Sequence, residues 1–236
     1  LAETAYATEQ YATAGDAFEK AFRLKETPTQ YLLYYAGVCN SLANRNSKAL
    51  ILLQELLLTG EPKPDWLQTT VAVAMEVSES AVAQKVVNQF CEIYPENPSA
   101  WLLAYQFYAA ENDYENAASA MKIKSYLQPL SVNEQFLFGD ILFAAGVPAE
   151  AANLYSTAID RSSDMATVSQ YEMLASALLS AQKTDLASEA INKALKIKPT
   201  TRLYSLLGDV EYSRENYKEA FNAFSSAADI NPDNGR

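Results

Sequence analysis

Residues 201–232 read TRLYSLLGDVEYSRENYKEAFNAFSSAADINP. Apolar residues recur here at helical spacing in two separate stretches. Leu203, Leu206, Leu207 and Val210 form one stripe, and Phe221, Phe224 and Ala228 form another. Glu215 and Asn216 sit between the stripes at a predicted turn, and Pro232 closes the segment. Numbered from Thr201, the segment has an aromatic at place 4, Leu-Gly at 7 and 8, and Tyr at 17. Ala, Phe and Ala follow at 20, 24 and 27, and Pro stands at 32.

Weaker copies of this spaced set run back along the chain. Starting at Val168 it gives Tyr171, Leu174, Ala175, Ala187, Ile191, Ala194 and Pro199. Starting at Val132 it gives Gly139, Leu142, Ala151, Tyr155 and Ala158; at Pro98, Trp101, Tyr108, Tyr114, Ala117, Met121 and Pro129. Pro64 opens a poorer copy with Leu67, Ala74, Ala83, Val87 and Pro95, and Gln30 opens one with Leu33, Ala36, Gly37, Ala49 and Leu53; residues 1–29 fit as a partial unit in which Tyr11, Ala14, Phe18 and Ala21 hold places 17, 20, 24 and 27. The starts at 30, 64, 98, 132, 168 and 201 differ by 34, 34, 34, 36 and 33 residues. A single period of this length is weak evidence, whereas six in register predict an array of helix pairs. The pattern resembles the tetratricopeptide repeat. The resemblance implies an all-α, right-handed superhelical solenoid of stacked antiparallel helix pairs, here one domain over residues 1–236.

Small residues at places 8 and 20 are expected to let paired helices approach, and larger ones at 4, 7, 17 and 24 to fill the surrounding space. Two positions conflict with this. Gly15 falls inside a second helix, where glycine costs roughly 1 kcal/mol relative to alanine. Tyr105 stands at place 8 of its unit, which predicts either a local separation of the helices or an outward-tipped ring. The run Leu56-Leu57-Leu58 and the following Thr-Gly-Glu-Pro-Lys-Pro read as the clearest loop, with a mild bend there.

The net charge of −11 argues against a nucleic-acid backbone as ligand, which calls for clustered Lys and Arg. The apolar run from Leu50 to Leu58 is too short to span a bilayer, so no transmembrane segment is predicted. With no histidine, the chain lacks Ser-His-Asp and Cys-His pairs and any His metal ligand. Cys39 and Cys91 are not at metal spacing and read as buried thiols. No glycine cluster forms a phosphate-binding loop, and acidic pairs such as Asp209 and Glu211 do not share a helix face. These residues predict no enzyme, no cofactor and no metal.

In the family that the pattern resembles, places 2, 5, 9, 12 and 13 of the first helices face a concave groove. That resemblance implies a partner-binding face containing Tyr34, Gln68, Gln106, Asn133, Phe136, Asp140, Phe143, Glu172, Arg202, Asp209 and Tyr212. The clamp for a terminal carboxylate found in some members, Lys at 5 and Asn at 9, is replaced by Tyr34 and Val38, then by Gln68 and Ala72. The asparagine ladder at place 6 of the sugar-transferase members is also missing: Tyr35, Thr69, Leu103, Leu137, Met173 and Leu206 stand there. The expected function is a protein-interaction scaffold. Phe136, Asp140, Phe143 and Tyr212 would hold an extended or helical segment carrying Lys or Arg. The alternative is a regulatory or targeting segment of a larger enzyme or cell-envelope complex.

No polar capping helix follows Pro232, so the second helix of the last unit is expected to expose an apolar flank and to allow self-association. The chain opens on Leu1 in mid-unit and reads as a fragment or a processed product. Its compartment is open between the cytoplasm and a bacterial periplasm or cell envelope.

Overall fold

The computed structural model describes residues 1–162 and 166–230; Pro232 lies outside the described residues. Fourteen α-helices and no strand occur among the described residues. The first helices are α1 (Ala2–Ala7), α3 (Gln30–Leu42), α5 (Pro64–Glu76), α7 (Pro98–Ala110), α9 (Val132–Ala144), α11 (Val168–Ser180) and α13 (Thr201–Ser213). The second helices are α2 (Tyr11–Leu24), α4 (Asn46–Leu58), α6 (Ser80–Ile93), α8 (Tyr114–Leu127), α10 (Pro148–Ser162), α12 (Thr184–Ile197) and α14 (Tyr217–Ile230).

Local chemistry sets the helix starts. Pro64 and Pro98 occupy the first helical turn of α5 and α7, where the missing N–H costs nothing. The Asn97 side chain accepts from Ser99 N, and Thr200 accepts from Leu203 N. Ser131 with Glu134, and Thr167 with Gln170, form reciprocal capping boxes at α9 and α11.

The turns inside the helix pairs share one backbone signature. Glu9, Asn44, Ser78, Asn112, Gly146, Gln182 and Glu215 all have positive φ, between 58° and 78°. Each stands at place 15 of its unit. Paired backbone bonds flank them, as in Arg45 N to Asn40 O at 2.8 Å with Asn44 N to Ser41 O at 2.9 Å. This is the left-handed helix stop that caps orphan carbonyls. Glu9 shows it in the partial unit too.

The chain divides into two compact units, Leu1–Glu111 and Asn112–Arg236. In the first, Leu33, Leu52, Leu53, Leu56, Trp66, Leu67, Val71, Val87 and Phe90 are fully buried. Gly37 of α3 faces Leu53 of α4 so closely that an added Cβ would lie 2.7 Å from the leucine side chain. Gly15 has a packing reason: its Cβ would stand 2.6 Å from the buried Asn40 Nδ2, so glycine lets α2 and α3 meet. The helix continues through it without interruption.

Two expectations for this unit need correction. Leu56, Leu57 and Leu58 belong to the last turn of α4, and the loop begins at Thr59. That loop is tied down, because Gln30 Nε2 donates to Thr59 O at 2.9 Å and Tyr94 Oη donates to Pro62 O at 2.8 Å. Tyr105 does not tip outward; it is buried. Cys39 is buried as expected, whereas Cys91 is only half-buried.

In the second unit, Gly139 faces Tyr155 and Gly208 faces Phe224, each at the place-8 to place-24 contact. Lys124 is buried and meets Glu134 at 2.7 Å. Helix α14 leaves apolar side chains open: Phe221 is 70% exposed, and Phe224 and Ile230 are also exposed.

Candidate functional site

The α3 sequence QYLLYYAGVCNSL is apolar around most of its circumference. Leu33, Ala36, Gly37 and Asn40 share the buried side. Tyr31, Tyr34 and Tyr35 stand at i, i+3 and i+4 and share the other. The tyrosine side joins aromatic residues of neighbouring helices into one connected cluster. Tyr35 stacks on Phe18 at 5.5 Å and on Tyr31 at 6.2 Å, both at 27° between planes. Tyr6 meets Tyr35 edge-on at 6.2 Å and Tyr11 at 5.9 Å. Tyr34 lies 5.7 Å from Tyr35 and 6.4 Å from Trp66.

Polar groups frame the rings. Lys63 Nζ sits 4.6 Å from the Tyr31 ring centroid and 5.2 Å from that of Trp66, within cation–π range. Tyr34 Oη and Thr69 Oγ1 share a hydrogen bond of 3.3 Å. Trp66 is 1% exposed and anchors the base, while Tyr31 is 51% exposed and Tyr6 and Tyr35 also reach the surface. Of these residues, reading the sequence singled out Tyr34 alone. Places 3 and 6, held by Trp66 and Tyr35, are not groove places in the family pattern, and Lys63 precedes its unit. Tyr31 does hold a groove place, place 2, and with Tyr34 and Tyr35 at i+3 and i+4 it was the available signal.

The remaining expected residues of the first unit stand outside this aromatic cluster: Gln68 is half-buried and Gln106 exposed. Elsewhere in the unit, α4 and α6 border a hollow of about 640 Å³ lined in part by Leu57, Leu58, Val82 and Gln89.

In the second unit, Phe136 requires correction as an open anchor. It is 8% exposed and stacks on Tyr155 at 5.8 Å, so it packs α9 against α10. Tyr155 Oη donates to Asp140 Oδ1 at 2.6 Å. Partial burial pushes the Asp140 carboxyl above the ordinary carboxylate range, against the opposing pull of that hydrogen bond. Burial, and then Asp140, push the Tyr155 phenol up as well. Phe143 is 39% exposed at the far end of the same helix, and Asn133 is exposed near its start.

Glu172 accepts from Thr200 Oγ1 at 2.7 Å and lies 3.8 Å from Arg202 Nε, so the structure brings these two expected residues together. Arg202 is exposed. Asp209 is exposed too, with its carboxyl pushed up by partial burial. Tyr212 is exposed and meets Tyr217 edge-on at 5.6 Å.

Among the described residues no group of three or more His, Cys, Asp or Glu could hold a metal ion, and no helix is long and apolar enough to cross a membrane.

The family model for the tetratricopeptide repeat matches residues 172–235. No curated protein matches the chain. Solved structures match it throughout. A tetratricopeptide repeat protein from Parabacteroides merdae aligns with TM-score 0.61 at 18% identity, over 99% of this chain and 91% of that one. The C-terminal part of a repeat-containing protein from Cytophaga hutchinsonii gives TM-score 0.67 at 13% identity, over 99% and 95%. YrrB, described as a tetratricopeptide repeat protein with an unusual peptide-binding site, gives 0.63 at 15% identity, over 77% and 93%. At these identities the likeness is one of fold.

Proposed function

We propose that this chain, a tetratricopeptide repeat protein, is an interaction scaffold that receives a peptide or protein segment on the face built by its first helices. The fold supports a protein-interaction scaffold in general. The aromatic cluster of α1, α3 and α5 supports this particular face, because it puts partly exposed rings over a fixed, buried base. Exposed aromatics on a rigid support are the residue type that carries binding energy at interfaces. YrrB offers a precedent within the same fold for a peptide-binding site.

In this reading the chain is one array of six full units and a partial unit. Tyr34 with Tyr31 and Tyr35 anchors the segment in the first unit, alongside Gln68 and Gln106. Asn133, Phe143, Glu172, Arg202, Asp209 and Tyr212 are the contacts proposed for the second unit by itself. The carboxylates Asp140, Glu172 and Asp209 favour a partner carrying Lys or Arg there. Phe136 and Tyr155 support the face from below.

The test is capture from the native cell extract with wild-type chain against Tyr31→Ala/Phe143→Ala, two exposed positions. Loss of a captured protein with the double variant supports the reading. Equal capture by both moves the site off this face. Phe221 on α14 is the site proposed for self-association. Light scattering that shows a monomer up to millimolar concentration overturns that part alone.

A further inference from the structure

Resting on the reading that this face receives a segment, we infer that the α1/α3/α5 cluster takes a proline-rich segment in the polyproline II conformation.

Three observations carry the inference. The first is ring geometry. Tyr31 and Tyr35 lie 6.2 Å apart at only 27° between planes, and together with Tyr6 they expose an aromatic surface. Proline rings pack well on such surfaces, and proline-rich segments dock in aromatic-lined grooves elsewhere. The second is hydrogen-bond polarity. Among the described residues, the hydroxyls of Tyr6, Tyr31 and Tyr35 make no hydrogen bond within the protein, and Lys63 makes no ion pair. The ammonium is a donor only, and each phenol carries one free O–H. Among the described residues, no carboxylate or side-chain amide forms a hydrogen bond or ion pair with Tyr6, Tyr31, Tyr35 or Lys63. A polyproline II strand supplies the complement, because it has no internal hydrogen bonds and its carbonyls are free acceptors, while proline itself has no N–H to satisfy. A sugar could use the same phenols as donors and acceptors, so a hexasaccharide is the comparison that separates the two ligands.

The third observation is preorganisation. Phe18 is buried against the exposed Tyr35, Trp66 is buried against Tyr34, Tyr34 is tied to Thr69, and Lys63 lies over the Tyr31 and Trp66 rings. A rigid surface meeting a pre-extended strand loses little conformational freedom on binding.

The probe is decaproline, acetylated and amidated so that it carries no terminal charge, titrated calorimetrically into the whole chain. A proline-free Gly-Ser decapeptide and a glucose hexasaccharide serve as comparisons. Saturable decaproline binding is expected, weakened about five- to thirtyfold by Tyr31→Ala, the range of an interface anchor. Lys63→Met should weaken it too, whereas Gln89→Ala on α6 should leave it unchanged. Circular dichroism of each variant separates lost binding from lost folding. Absence of decaproline binding at millimolar concentration overturns the inference. So does equal binding of the Gly-Ser peptide, or binding of the hexasaccharide alone. If the native partner is still lost with Tyr31→Ala while decaproline fails, the docking face survives and only its proline specificity falls.

Discussion

Gly139 on α9 and Tyr155 on α10 face each other so closely that a Cβ at residue 139 would lie 2.4 Å from Tyr155 Cε1. Tyr155 cannot simply swing aside, because it is buried, stacks on Phe136 and donates to Asp140. Gly139→Ala should therefore overpack the pair and cost about 1–3 kcal/mol. Gly208 meets Phe224 at the same 2.4 Å, but that ring is partly exposed and can rotate outward. Gly208→Ala should cost less. Chemical denaturation of the two variants measures the difference, and equal losses would contradict this packing account.

Gly146 offers a cleaner backbone test. Its φ is +78°, and nothing lies within 4 Å of where a Cβ would be. Gly146→Ala should destabilise the chain by about 1 kcal/mol through left-handed strain alone. Gln182, at φ +58° in the equivalent place, should tolerate glycine with a neutral or stabilising effect. Thermal melts of both variants check the opposite signs.

Lys124 and Glu134 tie α8 to α9 through a largely buried ion pair of 2.7 Å. Burial raises the Glu134 carboxyl, but Lys124 and the Ser131 N–H and O–H outweigh it and hold the group below its ordinary range. A depressed folded-state carboxyl contributes stability above its unfolded pKa, and that contribution is lost as pH falls through the folded value. Glu134→Gln should thus lower stability at neutral pH by about 3–5 kcal/mol, the cost of orphaning a buried lysine. It should also flatten the acid limb of the stability profile. Asp140, raised by burial, acts with the opposite sign. Adding Lys124→Met to Glu134→Gln should recover much of the loss, which urea titrations between acidic and neutral pH would show.

The thiols should be unreactive in the folded chain. Burial, then Glu92, pushes the Cys91 thiol up to about 11, and burial raises Cys39 as well. A thiol reagent at neutral pH should modify neither until denaturant is added. Rapid labelling of Cys91 in the native chain would contradict its placement.

The helix pairs were legible because each unit repeats the same small and large places, so Gly37, Gly139 and Gly208 announced close contacts. The turn residues were less so. Only Gly146 among the seven left-handed positions is glycine, and Ser78 or Gln182 carries no such signal by type. Gly15 conflicts with helix propensity alone, because its reason is Asn40, 25 residues on and across the helix contact. The binding face was the least legible. Phe136 and Phe143 are both phenylalanines at groove places, yet only the fold brings Tyr155 against Phe136 and leaves Phe143 half open. The aromatic cluster draws on α1, α2, α3 and α5, so no single unit displays it.

The most direct test puts a photo-crosslinking benzoylphenylalanine at Tyr31, and in a second chain at Asn88 on α6, each irradiated in native extract. The account predicts that one partner crosslinks at position 31 and not at 88. A partner that crosslinks at 88 and not at 31 would contradict it.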